Sequence, residues 1–283
     1  MKLNFRLCVL LSLMMFTSNA LAGLVTHDYM DITYVDRISK FRSGAGHDFS
    51  YDPFPISIGF YETETDPTET NRSMKHYFEP GSAYRGDNGT VPLYAPFQGS
   101  IYRVSNEGHD SGFVNKQVWI QSAADPDVFA IIFHANLSES YPQAWNDYPQ
   151  AHWIYYEPDD LIYDTLSVAA GDCIGYADLR STISDIAILR RISDTEYHYL
   201  SYFDPSIMSA DVFSQYQARG IASPTDVIIS KAFRDAHPIT DWDVYNPDDW
   251  VELSPVTVPL PSSLLLAGLG TSLAAYMRRR RSL

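Results

Sequence analysis

Short hydrophobic runs, separated by clusters of Gly, Pro and Asp, fill the middle of the chain and predict a mainly β domain. Such runs favour strands because β-branched and aromatic side chains fit a half-buried, pleated surface. The run from Val128 to Phe133 is apolar at every position, which predicts a central strand with both faces buried. The predicted strands lie at residues 89–95, 100–104, 117–122, 128–135, 166–168, 173–176 and 185–191.

Two helices are predicted after the last of these strands. Ser209 can cap the first helix, and Gly220 is placed to end it. The apolar face of this helix consists of Val212, Phe213 and Tyr216. The second helix is predicted to begin at Ser223, with a proline in its first turn, and to stop at Pro238.

The N-terminus has the pattern of a signal peptide. Lys2 and Arg6 precede an apolar region, and Ala20-Leu-Ala22 has the small-x-small pattern of a signal peptidase site. Cleavage after Ala22 would make Gly23 the first residue of the mature protein. Signal peptidase is therefore an expected partner, and residues 1–22 are set aside from the fold.

The C-terminus combines a proline motif, an apolar run and four arginines at 278–281. Such a basic end stays in the cytoplasm and stops the apolar run in the membrane. With Val258, Pro259, Pro261 and Ser262 at its start, the tail resembles the PEP-CTERM sorting signal of Gram-negative bacteria. The resemblance implies transient anchoring in the inner membrane through one transmembrane helix, and then cleavage by an exosortase. The final location would be the cell envelope, the outer surface or the extracellular matrix. An ordinary single-span anchor is the alternative.

The exported part is strongly acidic. The whole chain has 20 basic and 35 acidic residues, and the two end segments contain six of the basic residues and no acidic one. Residues 23–257 then carry 14 basic against 35 acidic residues, a formal charge of −21. Such a surface repels nucleic acid, which excludes nucleic acid as a partner. The same charge suits a soluble extracellular protein.

Only Cys173 remains in the exported part, because Cys8 lies in the signal peptide. A single cysteine cannot form an intrachain disulfide, so stability has to come from packing. The apolar context of Cys173 predicts a buried, small hydrophobic side chain rather than a reactive thiol.

Changes in composition divide the chain into segments. The signal peptide, residues 1–22, and the sorting signal, residues 258–283, enclose the exported part. That part is predicted to consist of an N-terminal appendage (23–70), a β-domain (71–208) with a polar insertion (139–160), a helical cover (209–238) and an acidic linker (239–257).

Three motifs follow one another in the predicted β-domain. They are Val91-Pro-Leu-Tyr-Ala-Pro-Phe-Gln-Gly-Ser-Ile101, Ile131-Ile-Phe-His-Ala-Asn-Leu-Ser138 and Leu166-Ser-Val-Ala-Ala-Gly-Asp-Cys-Ile-Gly175. Together they resemble segments of lysostaphin-type zinc endopeptidases, over about residues 76 to 192. The resemblance implies a mainly β (α+β) fold with an antiparallel barrel-sandwich hybrid core, also described as a duplicated hybrid motif.

The zinc ligands of that family are incomplete in this sequence. His76 corresponds to the first histidine of the family's His-x-x-x-Asp pattern, but Pro80 stands where the aspartate is required. Glu79 and Asp185 are further candidate ligands, and no His-x-His pair occurs. A hydrolytic zinc site needs three protein ligands and an open position for water. The sequence therefore predicts a degenerate peptidase in which no residue is assigned a catalytic role.

His134 matches the family histidine that assists the activated water. Without a metal, the simpler expectation is that His134 is a hydrogen-bonded strand histidine. His76 is then expected to have a surface or capping role. An active zinc metalloendopeptidase that cleaves cell-wall peptides is the alternative function.

The leading hypothesis is a non-catalytic binding protein of the cell envelope or exopolysaccharide, with an extracellular glycan or peptidoglycan as ligand. The predicted insertion supplies aromatic side chains beside carboxylates, which suit sugar rings and their hydroxyl groups. The candidate ligand-binding residues are Trp145, Trp153, Tyr155 and Tyr156. The alternative is that these aromatic side chains only pack the insertion onto the domain.

A third hypothesis is an acidic matrix protein that binds calcium. Residues 157–160 and 241–243 contain clusters of acidic side chains, which are hard oxygen donors. Neither cluster has the spacing of a twelve-residue calcium loop. No cofactor is expected, and zinc and calcium enter only through the two alternative functions.

Overall fold

The computed structural model describes residues 23–50, 64–65, 69–108, 114–141, 166–180, 182–193, 196–243 and 245–255. Over these residues, twelve strands form one sheet, which confirms the predicted mainly β, antiparallel class. The strands are β1 Val35–Ser39, β2 Glu64–Thr65, β3 His76–Pro80, β4 Asn88–Tyr94, β5 Gly99–Gly108, β6 Val114–Ser122, β7 Val128–Leu137, β8 Leu166–Val168, β9 Cys173–Asp178, β10 Ser184–Arg191, β11 Glu196–Leu200 and β12 Trp250–Glu252.

The main path of the sheet runs β12-β1-β3-β10-β7-β6-β5-β8. Strand β11 pairs with β10, and β4 pairs with β9, which in turn pairs with β7. Every pairing is antiparallel except that of β2 with β11. The seven predicted strands are present as β4 to β10, with ends shifted by up to a few residues.

The sheet has a hydrophobic cluster on each face, and β7 contributes to both. Ala130 and Ile132 belong to the larger cluster, whereas Phe129 and Ile131 belong to the smaller one. This alternation follows from the period of two along a strand. It confirms the prediction that the apolar run of β7 is a central strand buried on both faces.

The segments predicted as an appendage and a linker contribute strands to the main sheet. Strand β1, from the predicted appendage, lies between β3 and β12. Strand β12 comes from the predicted linker, and its Trp250 is 5% exposed. Tyr29 and Met30 of the predicted appendage are also buried in the larger hydrophobic cluster. Both segments therefore pack into the domain, because long-range strand pairing gives hydrogen-bond partners to backbone that is locally polar.

The first predicted helix is present as α1, Ala210–Gln217. The hydroxyl of Ser209 accepts a hydrogen bond from the Val212 amide, as expected for an N-cap. Gly220 follows the helix with a φ of 100°, a conformation that favours glycine. Val212 and Tyr216 are the buried residues of this helix.

The second predicted helix is interrupted. It consists of a 3-10 turn, Pro224–Val227, and a separate helix α2, Lys231–Ala236. Between them, backbone hydrogen bonds join Phe41 to Val227 and to Ile229. This tertiary pairing keeps Ile228 extended and ends the first turn of helix. Within the described residues, no helix has the length and apolar character needed to cross a membrane.

Cys173 is exposed, so the prediction of a buried side chain was wrong. It occupies the first position of β9, which is exposed, whereas the next two residues of the strand are buried.

Candidate functional site

His134 has an unusual backbone conformation in the middle of β7. Its φ is 56°, in the left-handed region that residues other than glycine rarely adopt. Strand β7 pairs with β10 up to Ile132, and with β9 from Ala135 onward. The pairing with β6 shifts register at the same place. His134 therefore lies in a bulge at the point where β7 exchanges one neighbour for another, a feature that proteins use to redirect a side chain.

His134 meets Asp185 at this point of exchange. The Nε2 atom of His134 lies 3.4 Å from Oδ1 of Asp185, which is fully buried near the start of β10. The second carboxylate oxygen of Asp185 forms an ion pair with the ammonium group of Lys75, whose side chain is 4% exposed. We call these three side chains the His134 cluster.

Aromatic rings surround the buried ammonium group of Lys75. Its Nζ atom lies 4.6 Å from the ring centre of Phe49, 4.9 Å from that of Tyr77 and 4.3 Å from that of Phe133. A cation over a ring face is stabilised by the ring quadrupole, so the rings add to the attraction of Asp185. Burial raises the pKa of Tyr77 to about 12, so its phenol stays neutral.

His76 does not join the His134 cluster. Tyr77 is the direct partner of Asp185 in the pairing of β3 with β10, so the adjacent His76 faces the other side of the sheet. Of the two roles expected for His76, surface or capping, its 1% exposure rules out the surface role. Its Nδ1 donates to the Ser39 carbonyl at 2.8 Å, and its Nε2 accepts from the Ser201 hydroxyl at 2.8 Å. Burial lowers the pKa of His76 to about 4, so the ring is neutral.

Glu79 is also engaged elsewhere. Its carboxylate forms ion pairs with Arg37 and with Arg85, the latter at 2.5 Å. Of the predicted metal candidates, only Asp185 lies beside His134. Across the described ranges, no group of three His, Cys, Asp or Glu side chains is placed to hold a metal ion.

A second concave site lies between the N-terminal segment, the end of β4 and helix α1. It encloses about 320 Å³, within the range of roughly 300–1,000 Å³ that is typical of small-molecule sites. We call it the Tyr94 pocket, and its lining residues are Thr26, His27, Asp28, Met30, Asp31, Tyr94 and Gln215. Sequence reasoning missed this pocket because its residues come from three distant segments. Tyr94 lies within the first of the three motifs but was not singled out.

Asp28 is a lining residue of the Tyr94 pocket and is 5% exposed. Tyr202 donates to its Oδ1 at 2.9 Å, and Tyr216 donates to its Oδ2. Burial raises the pKa of Asp28 to about 6, although these hydrogen bonds lower it and oppose the shift. Two phenols therefore hold a carboxyl group that titrates just below neutral pH.

More exposed side chains complete the Tyr94 pocket. The ring of His27 meets the ring of Tyr94 edge to face, with centroids 5.1 Å apart. His27 is oriented by its Nδ1, which donates to the Asp28 carbonyl at 2.7 Å. Asp31 accepts from the Thr33 amide at 2.8 Å through one carboxylate oxygen. The pocket thus combines an aromatic ring with carboxylate, imidazole, hydroxyl and amide groups, a set suited to a ligand with many hydroxyl groups.

Residues 257–281 match the family model of the PEP-CTERM protein-sorting motif. The chain carries a PEP-CTERM signal. This signal implies an exported protein of Gram-negative bacteria that follows a signal peptidase route, is processed by an exosortase and is sorted to the cell envelope. No curated protein and no solved structure matches the chain. The resemblance to lysostaphin-type endopeptidases is not supported by any family match or relative.

The PEP-CTERM match covers Val258, Pro259, Pro261 and Ser262, the predicted start of the processing signal. These four residues lie outside the described part of the chain, as does Ala22. The candidate ligand-binding residues Trp145, Trp153, Tyr155 and Tyr156 also lie outside it.

Gly23, the predicted first residue of the mature protein, is described and buried. Two residues later, Val25 exchanges backbone hydrogen bonds with Ile207 and Ser209, just before α1. The predicted start of the mature protein is therefore attached to the folded domain.

Proposed function

We propose that this PEP-CTERM protein is a non-catalytic glycan-binding protein of the cell envelope or its exopolysaccharide. The observation that carries the proposal is the Tyr94 pocket, where an aromatic ring lies beside the buried carboxyl group of Asp28. Sugars present apolar C–H faces together with hydroxyl groups. An aromatic ring can pack on the former, and carboxylates and amides can hydrogen-bond the latter.

The size of the Tyr94 pocket supports a short segment of a polymer as ligand. A space of about 320 Å³ suits one or two sugar rings, at the lower end of the range of small-molecule sites. The exposed lining side chains, His27, Asp31 and Gln215, leave the pocket open to a chain that continues beyond it. Exopolysaccharide and the glycan strands of peptidoglycan are the two polymers that fit the sorting of the protein to the envelope.

The contacts of Asp185 and His76 argue against a peptidase role. Lys75 is paired with the Asp185 carboxylate, and both nitrogens of His76 are hydrogen-bonded on the opposite face of the sheet. A metal at Asp185 would have to displace a buried ammonium group. That displacement would leave a buried charge without its partner, which is strongly unfavourable.

The test is retention of the full-length protein on immobilised polysaccharides, with purified exopolysaccharide and peptidoglycan as separate ligands. We expect Tyr94→Ala to weaken retention about tenfold, because the aromatic packing surface is lost. Gln215→Ala should weaken it less, because one neutral hydrogen bond is worth about 1 kcal/mol. Tyr245→Ala is the matched control, since Tyr245 is 75% exposed and lies outside the pocket.

The melting temperature of each variant distinguishes loss of binding from loss of folding. The proposal is supported if Tyr94→Ala loses retention, keeps its melting temperature, and Tyr245→Ala behaves as the wild type. Equal retention by the Tyr94→Ala and wild-type proteins would refute the assignment of this pocket. Release of peptides from peptidoglycan by the purified protein would refute the non-catalytic role.

A further inference from the structure

One cavity in the described part of the chain is lined mostly by basic side chains, although the protein as a whole is acidic. It encloses about 420 Å³ and is lined by Thr70, Asn71, Arg72, Lys231, Arg234, Asp235 and Pro238. Three of these side chains are cations and one is an anion. The formal charge of the whole chain is −15, so a cavity lined mostly by cations is unusual here. We call this cavity the Arg72 pocket.

Protein contacts hold both guanidinium groups of the Arg72 pocket in place. Arg72 is 7% exposed, and it donates to the Thr70 carbonyl at 3.0 Å, to Glu69 at 2.7 Å and to Asp235 at 3.0 Å. Arg234 is 11% exposed, and its donors reach the backbone carbonyls of residues 42 and 237 and the carboxylate of Asp249. These contacts fix the two side chains before any ligand binds, which lowers the entropic cost of binding.

Each cation in the Arg72 pocket has N–H donors that no residue of the described ranges engages. A guanidinium group has five N–H donors, and the described residues engage three of them in Arg72 and three in Arg234. The ammonium group of Lys231 donates to Asp235 at 2.6 Å and has further hydrogens available. Planar pairs of guanidinium donors match the oxygen atoms of carboxylate and phosphate groups.

The two guanidinium groups also repel each other. Burial lowers the pKa of Arg234, and the positive charge of Arg72 lowers it further, whereas Asp249 raises it. An anion between the two groups would attract both of them and so offset this repulsion. Asp235 cannot fully do so, because its single carboxylate is shared between Arg72 and Lys231.

We infer that the Arg72 pocket is a binding site for an oxyanion, namely a carboxylate or phosphate group carried by an acidic envelope polymer. Its residues do not overlap with those of the Tyr94 pocket, so the inference does not depend on the glycan proposal. Arg72 and Arg234 supply fixed, directional donors, and Lys231 adds a mobile charge at the rim.

The probes are inorganic phosphate, D-glucuronate and D-glucose, each titrated into the full-length protein by calorimetry at low salt. We expect phosphate, glucuronate or both to bind, and glucose not to bind. Lys231→Gln should weaken anion binding about tenfold, since it removes one charge-assisted hydrogen bond. Added sodium chloride should weaken binding further, because salt screens the attraction.

Lys231 suits this test because its side chain is 39% exposed, so we expect its replacement to leave the fold intact. Arg191→Gln is the matched control, since Arg191 is partly exposed and pairs with Asp127 away from the cavity. Binding of phosphate alone or of glucuronate alone identifies the oxyanion and supports the site. The inference is overturned if neither anion binds better than glucose, or if Arg191→Gln weakens binding as much as Lys231→Gln.

Discussion

His134 and Asp185 meet where β7 leaves β10 and joins β9, with 3.4 Å between the imidazole Nε2 and the carboxylate Oδ1. The positive φ of His134 is the local cost of this exchange. Lys75 completes the cluster through its ion pair with Asp185. The cluster therefore joins β7, β10 and the entry to β3 at one buried point.

The ion pair between Lys75 and Asp185 is expected to be essential for stability. Asp185→Asn leaves a buried ammonium group without its counter-charge, which typically costs about 3–5 kcal/mol. The double variant Lys75→Met with Asp185→Leu should recover most of this loss, because apolar side chains of similar size often replace a buried ion pair. The measurement is the free energy of unfolding in urea for the single and double variants.

The control for this prediction is Asp127→Asn, which removes the partner of Arg191 at a partly exposed position. That pair should contribute at most about 1 kcal/mol. A loss for Asp185→Asn no larger than that for Asp127→Asn would show that the buried pair is not essential.

Asp28 is expected to make the protein less stable as the pH rises. Its pKa is about 6 in the folded protein, against 3.8 as the ordinary value. The folded state therefore holds the proton more tightly, and this contribution is lost as the pH rises from about 4 through 6, by about 3 kcal/mol. Asp28→Asn should remove this pH-dependent contribution to stability. The measurement is the unfolding free energy of the wild type and of Asp28→Asn between pH 4 and 6. The same slope of unfolding free energy against pH in both proteins would contradict the prediction.

His76 is expected to act in the opposite direction. Its pKa falls from 6.5 to about 4 on folding, so the unfolded chain binds the proton that the folded protein excludes. Stability is then lost as the pH falls from about 6.5 to 4, again by about 3 kcal/mol. His76→Gln should make the protein less sensitive to acid, even if it lowers stability at neutral pH. A steeper acid dependence in this variant would be the contrary result.

The two effects cover nearly the same range of pH and oppose each other. Between pH 4 and 6, protonation of Asp28 stabilises the folded state, whereas protonation of His76 stabilises the unfolded state. The contributions of these two residues should nearly cancel in the wild type. In each single variant, the pH dependence of the unfolding free energy should come from the residue that remains. The double variant should lack both contributions and, like the wild type, show little net pH dependence from these two positions.

Processing at both ends is expected to leave a mature protein that begins at Gly23 and lacks the arginine cluster. Mass spectrometry of the protein from its native envelope should therefore detect no peptide that ends in Leu283. Replacement of Pro259 and Pro261 by Ala should let the unprocessed form accumulate, because both lie in the matched sorting motif. Pro255→Ala, just before the motif, is the control. An intact tail in the wild-type protein would contradict exosortase processing.

Local patterns were sufficient for the central strands and the first helix. The apolar run of β7 and the cap of α1 at Ser209 depend on neighbours in sequence, so the sequence predicts them directly. Strand β3 was missed because its sequence, His-Tyr-Phe-Glu-Pro, has no strand periodicity of its own, yet all five residues are buried. Pairing with β1 and β10 and contacts with polar partners make this burial possible.

The sequence by itself determined that the chain is an exported, acidic, mainly β protein, because sorting signals, charge and strand-forming runs are local properties. Only the tertiary structure decided which polar residues meet. Strand register placed His76 on one face and Asp185 on the other, since one residue of register reverses the direction of a side chain. The Tyr94 and Arg72 pockets likewise depend on contacts between segments far apart in the chain, which no local pattern encodes.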